Sequence, residues 1–512
     1  MDAWPHQTRA LKGIEDSIKE GVNDILISSP TGAGKTFVSI RRMQTSGRKT
    51  VFYTNRRMLF EQTSKKFHEV ELNHGFRAAG HVPNVEEPVQ LAMIQSEARA
   101  LERGGELHEA DEVLVDEAHN NAGESCQRIF AEHKRINPNC SIVGFSATPL
   151  GVSHVYKRLI QAGTNSELRE CGSHVKLGAK YFAPDEPDEK LVGRIETGGG
   201  ETAIPNRKRM KYTQQVFGRV VEHYYKLNKE RRPAVLFAPG VEESKWFAQQ
   251  LERKGITAAH IDSDYCMIGD EIYPSTQALK DEIEKQVKDG KINVVCNRFV
   301  LREGIDWPFL YHGIFATVFG SLTSYIQAGG RLLRNDSTMD HVLIQDHGGN
   351  YWRHGSLNSD RVWQLDSNDR IEAAKHRERC RDGIEKPAVV CPKCSQVRKG
   401  LRCQHCGDSW IGRTRLVLQT DGTLKELTNK AFQKRRTAKK SASLEKKWIG
   451  RVLGVLGSKK KTVVNMTFSQ LFNNFARDNY WTYPPKDLAM MPTAEMDWFR
   501  PIRTVPKERL IK

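Results

Sequence analysis

Long apolar runs are missing from this chain. None approaches the ~18 residues that a bilayer-spanning helix needs, and Met1-Asp2-Ala3-Trp4-Pro5 has no signal-peptide pattern. No internal repeat or low-complexity tract is present. A disulfide framework is missing too, because six of the ten cysteines are scattered and four cluster late. That distribution suits a reducing compartment with one metal site, the scattered six being ordinary buried thiols. These absences predict a cytoplasmic protein with no membrane partner. At 512 residues and 38% hydrophobic content the chain is too long for one core and should form two or more globular domains.

Negative charge is also scarce, with 62 Asp and Glu against 79 Lys and Arg. The imbalance is local: from Arg413 to Lys512 there are 22 basic residues against 8 acidic ones, so 14 of the 17 net positive charges lie there. Runs at Lys434-Arg435-Arg436, Lys439-Lys440, Lys446-Lys447 and Lys459-Lys460-Lys461 form a footprint for a polyanion. Phe468, Phe472, Phe475, Tyr480, Trp481 and Tyr483 follow. They suit either the core of a small helical domain or a surface on which bases stack.

What is present is chemically specific. Asp24–Ser28 reads as a buried strand, Phe37–Ile40 resumes helical apolar spacing, and Ser29-Pro30-Thr31-Gly32-Ala33-Gly34-Lys35-Thr36 lies between them. Strand, glycine turn and helix are the setting of a phosphate-binding loop. Gly32 and Gly34 let successive N–H groups of Thr31 to Thr36 face phosphates at a helix N-terminus. Lys35 neutralises the β and γ phosphates of ATP, and Thr36 offers a hydroxyl to Mg²⁺. The usual first glycine is replaced by Ser29, a mild change because the tight turn falls at the later glycines.

Glu112–Val115 reads as a neighbouring parallel strand that delivers Asp116-Glu117-Ala118-His119 to the sheet's C-terminal edge. Asp116 is the expected Mg²⁺ residue and Glu117 the expected base for the attacking water. Two acids before Ala-His would ordinarily read as a solvated turn, and their pairing with Lys35 reverses that.

A further strand, Ser141–Phe145, ends in Ser146-Ala147-Thr148-Pro149. After an exposed connector at Pro184–Glu189 and Gly198–Gly200, a second series begins at Ala234–Ala238. It holds Ile292–Cys296, then Leu301 to Pro308, then Tyr325 to Arg334, where Arg331 and Arg334 are expected to share one helix face.

In type and order these elements resemble the motifs of superfamily 2 helicases of the DEAH type over residues 1–355. Within them the chain is most similar to the bacterial and phage branch around RadD and XPB, through Phe145 to Leu150, Glu303 to Asp306, Gln327 to Arg334, Asp346 to Asn350 and Arg353 to Gly355. The resemblance implies that Gln7 reads the adenine edge, and that Asn55-Arg56-Arg57 and Ile94-Gln95-Ser96 run along a nucleic-acid backbone. Ser146 and Thr148 would couple the domains. Gly304, Asp306, Gln327, Arg331 and Arg334 would form the second domain's side of the nucleotide cleft, with the arginines as fingers on the γ-phosphate. Only a bound triphosphate is then expected to bridge the two halves. Tyr265 to Lys280 reads as irregular and lacks the threonine-proline motif that the resemblance predicts.

Cys391-Pro392-Lys393-Cys394 and Cys403-Gln404-His405-Cys406 offer two pairs of thiolates across a short spacer, a tetrahedral Zn²⁺ arrangement. A module this small needs the ion to fold.

The resulting expectation is an α/β protein with two tandem RecA-like domains of parallel sheets, at 1–200 and 201–375. A zinc ribbon at 385–412 and a basic nucleic-acid-binding extension at 413–512 complete it. Its cofactors would be ATP, Mg²⁺ and Zn²⁺, and its partner DNA, single-stranded or forked, in a bacterial or phage-infected cell. RNA, a duplex translocase without strand separation, and a slowly cycling nucleotide switch stay open.

Overall fold

The computed structural model describes residues 3–55, 57–184, 215–298, 307–365, 406, 417–427, 444, 448, 472, 473, 475 and 476. Its contacts divide the chain into two compact units, Met1–Leu427 and Thr428–Lys512. Among the described residues no helix is long and apolar enough to cross a membrane.

The first sheet is made of β1 (Asp24–Ser28), β2 (Thr50–Thr54), β3 (Gly75–Arg77), β4 (Val89–Met93), β5 (Glu112–Val115), β6 (Ser141–Ser146) and β7 (Arg158–Gln161). They lie in the order β3-β4-β2-β5-β6-β1-β7, every pair parallel. β1, β2, β5 and β6 are buried at every position, as expected of parallel strands covered by helices on both faces. Ile25, Ile27 and Leu114 face one core, while Leu26, Val113 and Val115 face the other. β5 does not neighbour β1 as expected. β6 separates them, its Ser146 opposite Ser28 and its Gly144 opposite Val115, so one strand touches both halves of the chemistry.

The second sheet comprises β8 (Ala179–Ala183), β10 (Ala234–Phe237), β11 (Ala258–Ile261), β12 (Tyr265–Ile268), β13 (Glu271–Pro274), β14 (Val294–Asn297), β15 (His312–Phe315), β16 (Val342–Asp346) and β18 (Lys425–Leu427). Their order is β13-β12-β11-β14-β10-β15-β16-β8-β18. β9 (Gln215–Phe217) and β17 (Leu418–Thr420) form a separate parallel pair.

Three expectations change here. The boundary near residue 200 moves back, because β8 runs parallel to β16. The extension placed at 413–512 begins later, because β18 runs antiparallel to β8 and Val417 belongs to the second core. Tyr265 to Lys280 is regular: β12 and β13 form a hairpin closed by the two residues Gly269-Asp270, with Gly269 at φ 58°, and a helix follows at Gln277–Lys288. A two-residue turn beginning with glycine at positive φ is the geometry that matches the twist of paired strands.

In the second unit Trp448 is fully buried, with the rings of Phe472 and Phe475 at 5.2 and 5.3 Å. Those two phenylalanines are therefore core. The basic runs, together with Cys391, Cys394 and Cys403, lie outside the described residues.

Candidate nucleotide site

The phosphate loop leaves β1 and enters the helix Lys35–Ser46 through Gly34, whose φ of 76° admits a glycine readily. A Cβ there would also lie 2.4 Å from Gln7 Nε2, so the helix Pro5–Lys19 closes on the loop from below. Gln7 Nε2 and His6 Nε2 both donate to the Ala33 carbonyl, at 3.1 and 2.9 Å, and Gln7 Oε1 accepts from Trp4 N–H at 3.0 Å. Gln7, expected to face adenine, is buried and braces the loop in this structure. Lys35 Nζ donates to the carbonyls of Ser29 and Pro30 at 3.3 and 3.2 Å.

Asp116 and Glu117 emerge at the end of β5. Glu117 has φ 46°, a left-handed conformation that costs a non-glycine residue energy. Its N–H donates to Asp116 Oδ1 at 3.0 Å, and Asn121 Nδ2 donates to the Asp116 carbonyl at 2.7 Å. Burial, followed by the Glu117 charge, pushes the Asp116 carboxyl up to about 6 against the pull of Lys35. Glu117 Oε2 lies 3.4 Å from His119 Nδ1 and is buried with no hydrogen-bond partner among the described residues. Adjacent carboxylates with an unbonded buried oxygen fit a divalent cation, which Asp116 and Thr36 would hold.

The second domain reaches the same place. Gln327 lies on the helix Leu322–Leu332, and its amide donates across the cleft to His119 Nε2 at 2.8 Å. With that nitrogen accepting, Nδ1 carries the ring hydrogen and donates to Ser146 Oγ at 2.9 Å, which also accepts from Thr148 N–H at 3.0 Å. A chain of polar contacts thus runs from the second domain to the end of β6. Gly330 approaches so closely that a Cβ would lie 2.7 Å from the Thr31 side chain.

Arg331 lies in the last turn of that helix, but Arg334 does not share its face. The helix stops at Leu332, and Arg334 is extended, bridged antiparallel to His174. The backbone bonds Val175 N–H to Leu333 O at 2.9 Å and Asn335 N–H to Ser173 O at 3.1 Å draw it out. Both arginines still act on Lys35. Burial lowers the Lys35 pKa most, Glu117 and Asp116 raise it, and Arg334 and Arg331 lower it. Five expected residues from three chain regions therefore share one electrostatic site. Gly304 and Asp306 lie outside the described residues.

Protein contacts cross the cleft directly, which corrects the expectation that only a triphosphate would bridge it. Besides Gln327–His119, Asn165 Nδ2 of the first domain donates to Leu357 O and Ser359 O at 3.0 and 2.9 Å. Gln161 binds the Arg361 carbonyl at 2.6 Å and the Trp363 N–H at 3.1 Å, and Leu365 packs on the first core.

A supporting pair also escaped sequence reasoning. Arg42, one face of the helix that follows the loop, is buried against Glu112 of β5 through Nε and Nη2 at 2.9 to 3.1 Å. Arg42 also pairs with Glu15, and Ser141 Oγ donates to Glu112 at 3.2 Å. The Lys35 helix and the Asp116 strand are thereby joined by one guanidinium. Among the described residues, no cluster of His, Cys, Asp and Glu forms a further metal site.

The profile described as "Type III restriction enzyme, res subunit" matches residues 1–151, and "Helicase conserved C-terminal domain" matches 215–336. A "51.5 kDa protein" of a Lactococcus phage (isolate 7-9) is 25% identical over 394 residues, covering 75% of this chain and 77% of that one. IRC3 of Saccharomyces cerevisiae, described as a proposed ATP-dependent helicase, is 21% identical over 362 residues, 67% of this chain and 50% of that one. The solved Pyrococcus furiosus Hef helicase domain has a TM-score of 0.41 at 17% identity, over 67% of this chain and 97% of that one.

Proposed function

We propose that this chain, a superfamily 2 helicase with two RecA-like domains that hydrolyse ATP, couples each hydrolysis to movement along DNA and separation of its strands. The supporting observation is the convergence of Lys35, Asp116 and Glu117 from one domain with Gln327, Arg331 and Arg334 from the other. Glu117 accepts the proton of the attacking water, its left-handed backbone aiming the carboxylate from the end of β5. Lys35 and the loop amides hold the β and γ phosphates, while Arg331 and Arg334 stabilise charge that builds on the transferred phosphoryl group. Thr36 and Asp116 would hold Mg²⁺, which would neutralise phosphate oxygens.

Loss of the γ-phosphate removes the group that both domains grip, and the cleft relaxes. His119 relays that change, since it touches Gln327 on one side and Ser146 on the other. If both domains also hold one strand, alternating closure and opening steps the protein along it.

DNA is the favoured track because of the basic runs after residue 430 and the motif order shared with the RadD- and XPB-like branch. A role in repair, recombination or replication follows from that resemblance. Cys391, Cys394, Cys403 and Cys406 are assigned to Zn²⁺ by their spacing, and metal analysis that finds no zinc in the purified chain would remove the assignment.

The experiment is steady-state ATP hydrolysis at one fixed salt concentration with no nucleic acid, single-stranded DNA, duplex DNA and RNA in parallel. Strong stimulation by single-stranded DNA is expected. Stimulation mainly by duplex would make the protein a translocase, and stimulation by RNA alone would overturn the DNA assignment. Slow turnover under all four conditions would leave a nucleotide-switched binding protein.

A further inference from the structure

Ser173, His174 and Val175 lie between the two matched domains, in the connection from the first sheet to β8. Their backbone pairs with Leu333 to Asn335, the stretch that carries Arg334. Their side chains turn to the phosphate loop: Ser173 Oγ donates to the Gly32 carbonyl at 2.8 Å, and His174 Nε2 bonds the Thr31 carbonyl at 2.7 Å. A carbonyl only accepts, so Nε2 carries the ring hydrogen. The fit is close, for a Cβ on Gly32 would lie 3.1 Å from that nitrogen.

We propose that Ser173 and His174 are positioning residues for ATP hydrolysis, a strap that holds the phosphate loop and Arg334 in one register. This rests on the nucleotide-site reading above. A segment bonded to the finger through its backbone and to the loop through its side chains transmits a shift of either one to the other. Neither residue needs to touch ATP. His174 is suited to a fixed role because it is 1% exposed, and burial, with Arg169, Arg334 and Lys35 nearby, lowers its pKa to about 4. It stays neutral and keeps donating throughout the neutral pH range.

The test uses the full chain with His174→Ala, His174→Gln and His174→Asn, measuring kcat and KM for ATP at saturating nucleic acid, with thermal melts alongside. His174→Ala should lower kcat about 3- to 10-fold, the range one net hydrogen bond is worth, with KM within about 2-fold because Lys35 and Thr36 are untouched. Glutamine places an amide nitrogen as far along the side chain as Nε2, so His174→Gln should recover most of kcat. Asparagine places it at the Nδ1 position, and His174→Asn should stay low. If His174→Ala fails to fold, the Gln and Asn variants still decide the matter. Equal rates for those two, or a wild-type kcat in a folded His174→Ala, would overturn the strap alone. A wild-type chain with no ATPase would overturn the nucleotide-site reading and the strap together.

Discussion

Removing Arg42 should destabilise the first domain without touching nucleotide chemistry directly. Arg42 is 3% exposed and Glu112 fully buried, and three nitrogen–oxygen contacts of 2.9 to 3.1 Å join them. Arg42→Ala leaves a carboxylate in the core with, among the described residues, only the Ser141 hydroxyl to solvate it. Breaking a buried pair from one side typically costs about 3–5 kcal/mol, because the partner's desolvation is no longer offset. At about 2–4 °C per kcal/mol for a domain of roughly 200 residues, the melting temperature should fall by roughly 6 to 20 °C. Replacing both partners, Arg42→Met with Glu112→Leu, removes both charges and should recover to within about 1 kcal/mol of wild type. Denaturant titration followed by fluorescence measures all three proteins. An Arg42→Ala loss below about 1 kcal/mol, or a double variant no better than the single one, would refute the reasoning.

Glu117→Gln should bind ATP normally while turnover falls by about 10²- to 10⁴-fold, the usual worth of a general base, and wild-type turnover would remove that role. A chain ended after Leu427 keeps β17 and β18, so it should melt like the parent yet bind DNA more weakly and with a shallower salt dependence, by about 0.9 in slope per lost duplex phosphate contact. One ended after residue 412 should lose stability as well, and an unchanged salt slope in either would place binding in the residues that remain. Acid should weaken the fold through His133, which donates or accepts at Tyr53 Oη over 2.8 Å and whose pKa falls to about 4 through burial and the Arg77 and His108 charges. The unfolded chain takes up this proton near pH 6.5 and the folded chain only near 4, so stability is complete above about 6.5 and drops toward 4 by up to about 1.4 kcal/mol per pH unit. His133→Gln should flatten that limb in urea titrations across pH, and an unchanged limb would refute the assignment.

The phosphate loop and the Asp116-Glu117 pair were legible in sequence because phosphate chemistry demands those residue types in a strand, turn and helix setting. Arg42 was not. A single arginine midway along a helix looks like any solvated cation until Glu112 is placed opposite it, and that pairing spans 70 residues. The turn at Gly269-Asp270 was readable, with Met267, Ile268 and Ile272 around it, but the missing threonine-proline motif drew the segment toward an irregular reading. Arg334 left its expected helix for a tertiary reason, since His174 captures its backbone from a segment with no pattern of its own. The domain boundary slipped because proline and glycine mark an exposed connector, whereas the sheet takes up the chain earlier, at Ala179.

The return of the chain to the second sheet has a mechanical side. The path leaves the first domain after β7 and enters the second at β8. It comes back at Leu357 to Leu365 on Asn165, Gln161 and the first core, then rejoins the second domain at Val417. The chain therefore passes between the two domains three times. Parting the domains would also break the Asn165 and Gln161 bonds to the returning segment, which favours rotation about it over separation. A motor built this way would turn its domains about that returning segment rather than draw them apart.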